Sequence, residues 1–448
     1  MQDAPLIGPY NPDDVMAWEA DGPRTAGRYL SDVRQLVESL PDRPAVLNLL
    51  SSRYQFLVGF GAAILRGQLT LLPQSRAPEA IQRVASSYSG CYALTDRNDS
   101  VGGVECIQPI GRQGQADPSS LIPTVPINQI VALAFTSGST GQPTPHQKSW
   151  GALVSVARAT ASRLGITARG RISVVATVPH QHMFGLEASV MLPLQHGLVM
   201  HAGRPLFPED ISAAMAEVPG RPLLVTTPLH MRACIAGEVI LPPAELVLSA
   251  TAPLSRALAL EFERLFQTRV HEIYGFAEAG SVASRRTTET DVWKPLDGID
   301  LIPEGKSWLV QAEYLPRPVR FPDHIVVNGG DRFNLQGRAA DQINLAGHRV
   351  SLGDLNQTLL ELEGVEDGVF FLPDTDEDSM TRLIAFVVAR EKSEEDILRA
   401  LRQRIDPVFL PRPLILVSAL PRNETGKLTR EALRQLADQY VIGKPHET

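Results

Sequence analysis

The stretch Ile130-Val-Ala-Leu-Ala-Phe-Thr-Ser-Gly-Ser-Thr-Gly-Gln-Pro143 runs from an apolar segment straight into hydroxyl and glycine residues. That order predicts a buried strand ending in a phosphate loop. Gly138 and Gly141 free the backbone amides to turn toward an anion, and Thr136, Ser137, Ser139 and Thr140 add hydroxyl donors, a set suited to a polyphosphate. A Walker A loop closes with Gly-Lys-Ser/Thr, whereas Gly141 is followed by Gln142 and Pro143, so the P-loop NTPase reading is excluded. The bland alternative is a Ser/Gly-rich surface turn. Four further motifs along the chain favour the phosphate reading.

The chain of 448 residues is too long for one compact core, so two or more domains are expected. Hydrophobic residues at 44% and charged residues at 21% describe a soluble globular protein. Nucleic acid as a main partner is disfavoured by the net charge of -8. Cys91, Cys106 and Cys234 lie far apart without paired spacing, which points away from disulfides and zinc and toward a reducing cytoplasm. Asp3, Asp13, Asp14 and Glu19 precede any apolar run, and no 18-residue apolar stretch occurs, so neither export nor a transmembrane segment is expected.

Outward from the loop, apolar strands alternate with helix-like segments. Residues 45–50, 69–72 and 91–95 read as strands, 53–65 and 78–87 as helices, and 101–122 as a loop. Beyond the loop, strands at 172–178, 223–225, 246–248 and 270–273 each end in a polar or glycine-bearing turn, and 254–266 carries one apolar helical face. This rhythm predicts an α/β fold with parallel sheets, whose carboxyl-end turns would line one cleft. From about residue 291 the sequence becomes Pro- and Gly-rich and short-stranded, as in a β-rich subdomain. After Gly337-Arg338 a small α+β unit follows: strands 368–372 and 383–389, helix 394–405, strand 414–417 and helix 429–440. The expected division is 1–337 as a large N-terminal domain and 338–448 as a small C-terminal one.

Thr136 to Gly141 resembles the signature loop of the adenylate-forming superfamily, which includes acyl- and aryl-CoA synthetases, acyl-carrier-protein ligases, peptide-synthetase adenylation domains and firefly-type luciferases. The whole chain can be laid along that pattern. The resemblance implies that 1–337 holds ATP and the acyl group and that 338–448 is a mobile cap bearing the catalytic lysine. It assigns Thr136, Ser137, Gly138, Ser139, Thr140 and Gly141 to phosphate binding. Pro179-His-Gln-His-Met-Phe-Gly185 is similar to the family's Pro-x-x-His-x-x-Gly segment, which makes His182 a neutral gate between acyl and α-phosphate sites; a metal pair of His180 with His182 is the competing reading. Ser249-Ala-Thr-Ala-Pro253 resembles the adenine-lining turn, with Ala252 and Pro253 matching and Ala250 and Thr251 in place of two glycines.

Tyr274-Gly-Phe-Ala-Glu278 resembles Tyr-Gly-x-Thr-Glu, which gives Tyr274 and Gly275 to adenine and Glu278 to magnesium, a cation satisfied by one or two carboxylates plus phosphate oxygens and water. Ala277 removes a phosphate donor. Gly329-Gly-Asp331 resembles the family's Thr-Gly-Asp, and Gly337-Arg338 its Gly-Arg pair, at a spacing that assigns Asp331 and Arg338 to the ribose. Asp341 to Arg349 resembles the loop that enters the cleft for thiol transfer, with Gly347 making room for a pantetheine arm and Arg349 near phosphate. Ala340 and Asp354-Leu-Asn356 depart from the usual pivot and its partner acids. Pro421-Arg-Asn-Glu-Thr-Gly-Lys427 resembles the motif whose lysine reaches the carboxylate and α-phosphate. The loop lysine of relatives is Thr144 here, and Lys148 is a candidate substitute.

The implied function is ATP- and Mg2+-dependent activation of an aryl or medium-to-long acyl carboxylate, with transfer to coenzyme A or to the phosphopantetheine of a separate acyl carrier protein. Ala277, Ala340 and Thr144 motivate the competing reading of a non-catalytic acyl- or nucleotide-binding relative. Retention of Glu278, Asp331, Arg338 and Lys427 argues against it. A luciferase-like oxidative use of the adenylate is a third alternative.

Overall fold

The computed structural model describes residues 2–73, 75–96, 101, 103–109, 121–137, 143–166, 172–305, 307–329, 331–338, 342–345, 348–373, 383–423 and 426–442. Two sheets build the N-terminal part. The first has six strands in the order Pro143–Ser149, Ile130–Ser137, Leu69–Leu72, Ala45–Asn48, Tyr92–Leu94 and Cys106–Ile107. All its neighbours are parallel except Pro143–Ser149, which folds back antiparallel on Ile130–Ser137. The strand pair flanking the Gly-rich loop is therefore a hairpin at a sheet edge.

The second sheet has nine strands: Lys294–Pro295, Gly280–Arg285, Val270–Phe276, Leu246–Ser249, Leu223–Thr226, Ser173–Ala176, Val199–His201, Val15–Glu19 and Gly22–Thr25. Neighbours from Val270–Phe276 through Val15–Glu19 are parallel, with antiparallel strands at both edges. The central strands Leu223–Thr226 and Leu246–Ser249 are buried at every position, which explains why they read as continuous apolar runs. The expected strands and helices of this part are present, and Cys106–Ile107 adds a short strand within the segment read as loop. A small antiparallel sheet, Ile299–Glu304 with Ser307–Ala312 and Val319–Arg320, and the hairpin Asp323–Val327 with Phe333–Arg338 form the β-rich part.

The C-terminal unit pairs Asp367–Phe371 with Ile384–Val388 antiparallel and Ile384–Val388 with Leu414–Leu416 parallel, between helices Leu352–Leu360, Glu394–Arg402 and Arg430–Ala437. It has apolar clusters of its own, one around Leu359, Phe370 and Leu401 and another around Phe386 and Leu433. The hairpin Gln342–Leu345 with His348–Ser351 and the helix Leu352–Leu360 precede the strand from which the sequence pattern starts. Among the described residues no helix is long and apolar enough to cross a membrane.

Arg53 ties the two large sheets together. It opens the helix Arg53–Leu65, packed behind the first sheet, and is 0% exposed. Its guanidinium donates to Ser189 Oγ (3.0 Å), to the carbonyls of His201 and Gly203 (2.7 Å each), and to those of Ala176 (3.3 Å) and Val178 (3.2 Å), at the ends of two strands of the second sheet. All five acceptors are uncharged. Burial, and then Arg204, lower its pKa to about 9, so the group is still cationic at neutral pH. Lysine, a point donor, cannot reproduce this fork. Arg53→Met leaves several buried carbonyls without donors and is expected to lower stability by about 3–5 kcal/mol, with Arg53→Lys intermediate, as read from urea unfolding midpoints; a wild-type midpoint in Arg53→Met would show that the clamp is dispensable.

Candidate active site

The carboxyl ends of the second sheet's parallel strands and the hairpin at the first sheet's edge surround one region. Thr177 follows the strand Ser173–Ala176, and its hydroxyl meets Thr226 Oγ1 at 3.0 Å and His230 Nδ1 at 3.1 Å. Thr227 caps the helix Pro228–Ala236 and reaches the same His230 nitrogen at 2.9 Å. These hydroxyls and one imidazole form a polar floor.

His182 sits beside that floor, at the start of a short helix that continues into Leu186–Met191. Burial lowers its pKa to about 4, with Lys427, Arg204 and Arg76 adding in that order, so the imidazole is neutral at physiological pH. The glycine of the same motif has a steric reason: a Cβ on Gly185 would lie 1.9 Å from the Pro179 carbonyl oxygen. His180 belongs to the core instead. It is 2% exposed, its Nε2 lies 3.0 Å from the Leu50 carbonyl, and its ring packs on Phe56 at 4.6 Å. No group of three or more His, Cys, Asp or Glu that could hold a metal occurs among the described residues, so a His180–His182 metal pair finds no third partner there.

Lys427 is brought to this place by the C-terminal unit. Its turn is closed by Asn423 N to Lys427 O at 2.9 Å, Gly426 N to Asn423 O at 2.8 Å and Lys427 N to Asn423 Oδ1 at 2.9 Å. Arg422 braces the turn, giving 2.7 Å to the Gly426 carbonyl and a two-pronged pair to Asp367 at 2.8 and 2.7 Å. Gly426, at φ +76°, lies over the start of the Thr227-capped helix, and a Cβ there would be 3.7 Å from Thr227 Oγ1. Arg232 of that helix stands 4.0 Å from Asp367.

Tyr274 lies near the end of Val270–Phe276 with its ring parallel to Phe321, centroids 5.7 Å apart, and edge-on to Trp293 at 5.7 Å. Its hydroxyl donates to the Asp323 carboxylate. Gly275 is required because a Cβ would come 2.4 Å from the Gly280 carbonyl. Ala252 and Pro253 follow Leu246–Ser249, and Thr251 takes φ +78° where the family has glycine, a left-handed backbone that a β-branched residue rarely adopts.

The hairpin does not set Asp331, the expected ribose carboxylate, opposite Arg338. Asp331 is exposed in the turn between Asp323–Val327 and Phe333–Arg338, beyond the Val327–Phe333 pair that ends the ladder. Asp323 is the residue paired across the hairpin with Arg338, and it is Asp323 that holds Tyr274. The Gly329-Gly-Asp331 match leaves Pro322-Asp323 without a role in the sequence pattern. The overlooked signal was strand pairing, because an antiparallel ladder sets opposite Arg338 a residue fifteen positions earlier in the sequence.

The Glu278 carboxylate is 47% exposed with His146 Nδ1 at 4.0 Å, and its main-chain carbonyl accepts from Lys148 Nζ at 3.1 Å. A half-exposed acid with no cage of protein ligands around it among the described residues fits a hard divalent cation shared with phosphate oxygens and water. Lys148 is 4% exposed and engaged beneath the Glu278 turn, so the sequence-based idea that it stands in for the missing loop lysine gives way to a structural role. Gly138, Ser139, Thr140, Gly141, Ala340 and Gly347 lie outside the described residues, as do the side chains of Thr136, Ser137, Arg338 and Arg349. The backbones of Thr136 and Ser137 end one strand, that of Arg338 ends another, and that of Arg349 lies in His348–Ser351.

Comparison with known proteins agrees with this arrangement. The family described as AMP-binding enzyme matches residues 71–302, more than half of the chain, and its C-terminal domain matches 355–427. The chain is 27% identical over 383 residues to a 4-coumarate–CoA ligase of Rhodobacter capsulatus, covering 81% of this chain and 95% of that protein. It is 30% identical over 312 residues to a 4-coumarate–CoA ligase of Halorhodospira halophila, covering 65% and 73%. An o-succinylbenzoate CoA synthetase of Bacillus subtilis, solved with its acyl-adenylate, superposes at a TM-score of 0.81 with 18% identity over 97% of this chain and 99% of that one. That last likeness concerns the fold alone, a large N-terminal and a small C-terminal part. The chain belongs to the AMP-binding enzymes, the adenylate-forming superfamily that its motifs resemble.

Proposed function

We propose that the protein is an ATP-dependent acid–thiol ligase acting in the cytoplasm on an aryl or medium-to-long acyl carboxylate. The observation that carries this reading is the braced turn that sets Gly426 over the start of the Thr227-capped helix, beside the hydroxyl floor of Thr177, Thr226 and Thr227, with Lys427 next in the chain and its charge helping to keep His182 neutral. Both curated relatives quoted above are CoA ligases, which favours coenzyme A as acceptor; the phosphopantetheine of a carrier protein is the alternative thiol.

In the first step a carboxylate oxygen forms a bond to the α-phosphorus while the bond to the bridging oxygen breaks, and pyrophosphate leaves with that electron pair. Lys427 supplies positive charge where it shifts between carboxylate and α-phosphate. His182, uncharged, orients the acyl group without competing for the anion. Asp323, set by Tyr274 and opposite Arg338, takes the ribose hydroxyls, and Tyr274 borders adenine with the turn at Ala252 and Pro253. Glu278 would hold magnesium together with the phosphates; when bound, that ion neutralises charge on the leaving pyrophosphate. In the second step the thiol sulfur attacks the acyl carbon, AMP departs, and the thiol proton passes to solvent. For that step the cap, divided from the rest at 337/338, turns so that Gly347 and Arg349 replace Lys427.

Pyrophosphate release with ATP and magnesium across benzoates, cinnamates and fatty acids, with coenzyme A or holo carrier protein as acceptor, tests the proposal. Turnover with one acid class is expected. Silence in folded protein across the panel would favour the binding-only alternative. Lys427→Ala is expected to slow adenylate formation on the order of 10²- to 10³-fold while sparing thioester formation from supplied acyl-adenylate; equal loss of both would sink its assignment. Asp323→Asn is expected to raise KM for ATP about 10-fold or more, whereas Asp331→Asn should leave it within about twofold. The reverse pattern would return the ribose to Asp331.

The buried histidines also predict an acid limit. Burial holds His182, His230 and His271 at about 4, below the value near 6.5 of an unfolded chain, so the unfolded state binds more protons in between. Stability should be level above about pH 7.5 and fall as the pH drops through 6.5 toward 4. Thermal unfolding across that range is expected to show the slope, and His182→Gln to make it shallower. A flat profile would contradict the burial of these imidazoles.

A further inference from the structure

The turn carrying Glu278 joins Val270–Phe276 to Gly280–Arg285, and two buried charged side chains grip it, one at Glu278 and one at Ser281. Lys148 comes from Pro143–Ser149, the strand on the far side of the Gly-rich loop. Thr144, His146 and Lys148 alternate onto one face of that strand, and burial deepens along it from exposed to half-buried to 4% exposed. The Lys148 ammonium donates to the Glu278 carbonyl at 3.1 Å. Glu187, 5% exposed, comes from Leu186–Met191, just after His182, and accepts from Ser281 N at 3.0 Å and Ser281 Oγ at 2.6 Å. Between them Gly280, at φ +81°, leaves space that a Cβ would close, since it would stand 2.4 Å from Glu187 Oε1. Burial disfavours the charged form of both groups, and each charge favours the ionised form of the other.

Burying an ammonium and a carboxylate costs several kcal/mol per ion, so such a pair is a poor way to gain stability alone. A methionine of similar length would fill the position of Lys148 without that cost. It could not hold a carbonyl. We propose that Lys148 and Glu187 are positioning residues that clamp the main chain at Glu278 and again at Ser281, so that the Glu278 carboxylate faces the polyphosphate while its carbonyl is turned inward. The clamp makes one mechanical unit of the strand leaving the phosphate loop, the segment after His182 and the Glu278 turn. It rests on the reading of Glu278 as the magnesium ligand.

Lys148→Met, Glu187→Gln and the double variant separate positioning from stability. Lys148→Met alone strands a buried carboxylate and is expected to lower the unfolding temperature; the double variant removes both charges together and is expected to recover most of it. In both, amide hydrogen exchange over residues 277–281 is expected to quicken about tenfold, the magnesium concentration for half-saturation and KM for ATP to rise about tenfold, and KM for the acid to stay within about twofold. A double variant with wild-type exchange and wild-type magnesium dependence would overturn the proposal and leave the pair as packing. If the wild-type protein itself releases no pyrophosphate, the ligase reading falls, while the exchange arm still decides whether Lys148 holds the turn.

Discussion

A buried guanidinium with no carboxylate to satisfy it holds the two large sheets in one relation. Arg53 stands at the start of a helix behind the first sheet and gives four of its five hydrogen bonds to carbonyls at or just beyond the carboxyl ends of two second-sheet strands and the fifth to Ser189 Oγ. Five donors in a rigid fork satisfy them from a single residue. Because the strand ends are also where His182 and the threonine floor begin, the clamp that joins the sheets defines one wall of the cleft.

Around the cleft the same economy recurs. Each functional segment is held by a group from a distant part of the chain: Tyr274 by Asp323, the Glu278 turn by Lys148 and Glu187, and the Lys427 turn by Asp367 acting through Arg422. Most of these supports are ionic and at least partly buried, where a hydrogen bond to a charged group is worth more than a neutral one. The Asp367 carboxylate also stands 4.0 Å from Arg232, a charged contact between the C-terminal unit and the N-terminal part. A contact of that kind can be made and broken without exposing a core.

Strands buried on both faces were legible because parallel sheets demand unbroken apolar runs. Gly185 and Gly275 were found by motif, and the structure adds the reason, a carbonyl oxygen where a side chain would start. Asp331 shows the limit. A Gly-Gly-Asp string is a good local match, yet a hairpin places it at the tip, and the residue opposite Arg338 is set by ladder register. Lys148 shows it again, since nothing in its neighbours along the chain distinguishes a phosphate ligand from a buried prop.

The amino-acid sequence alone determined the α/β class, the alternation of strands and helices and the identity of the motifs, because periodicity and turn chemistry act over a few neighbouring residues. Tertiary structure alone decided which carboxylate meets Tyr274, which cation holds the Glu278 turn and how far Lys427 reaches. The first two join residues 49 and 130 positions apart, and their geometry follows from sheet register and helix packing, which no local pattern encodes.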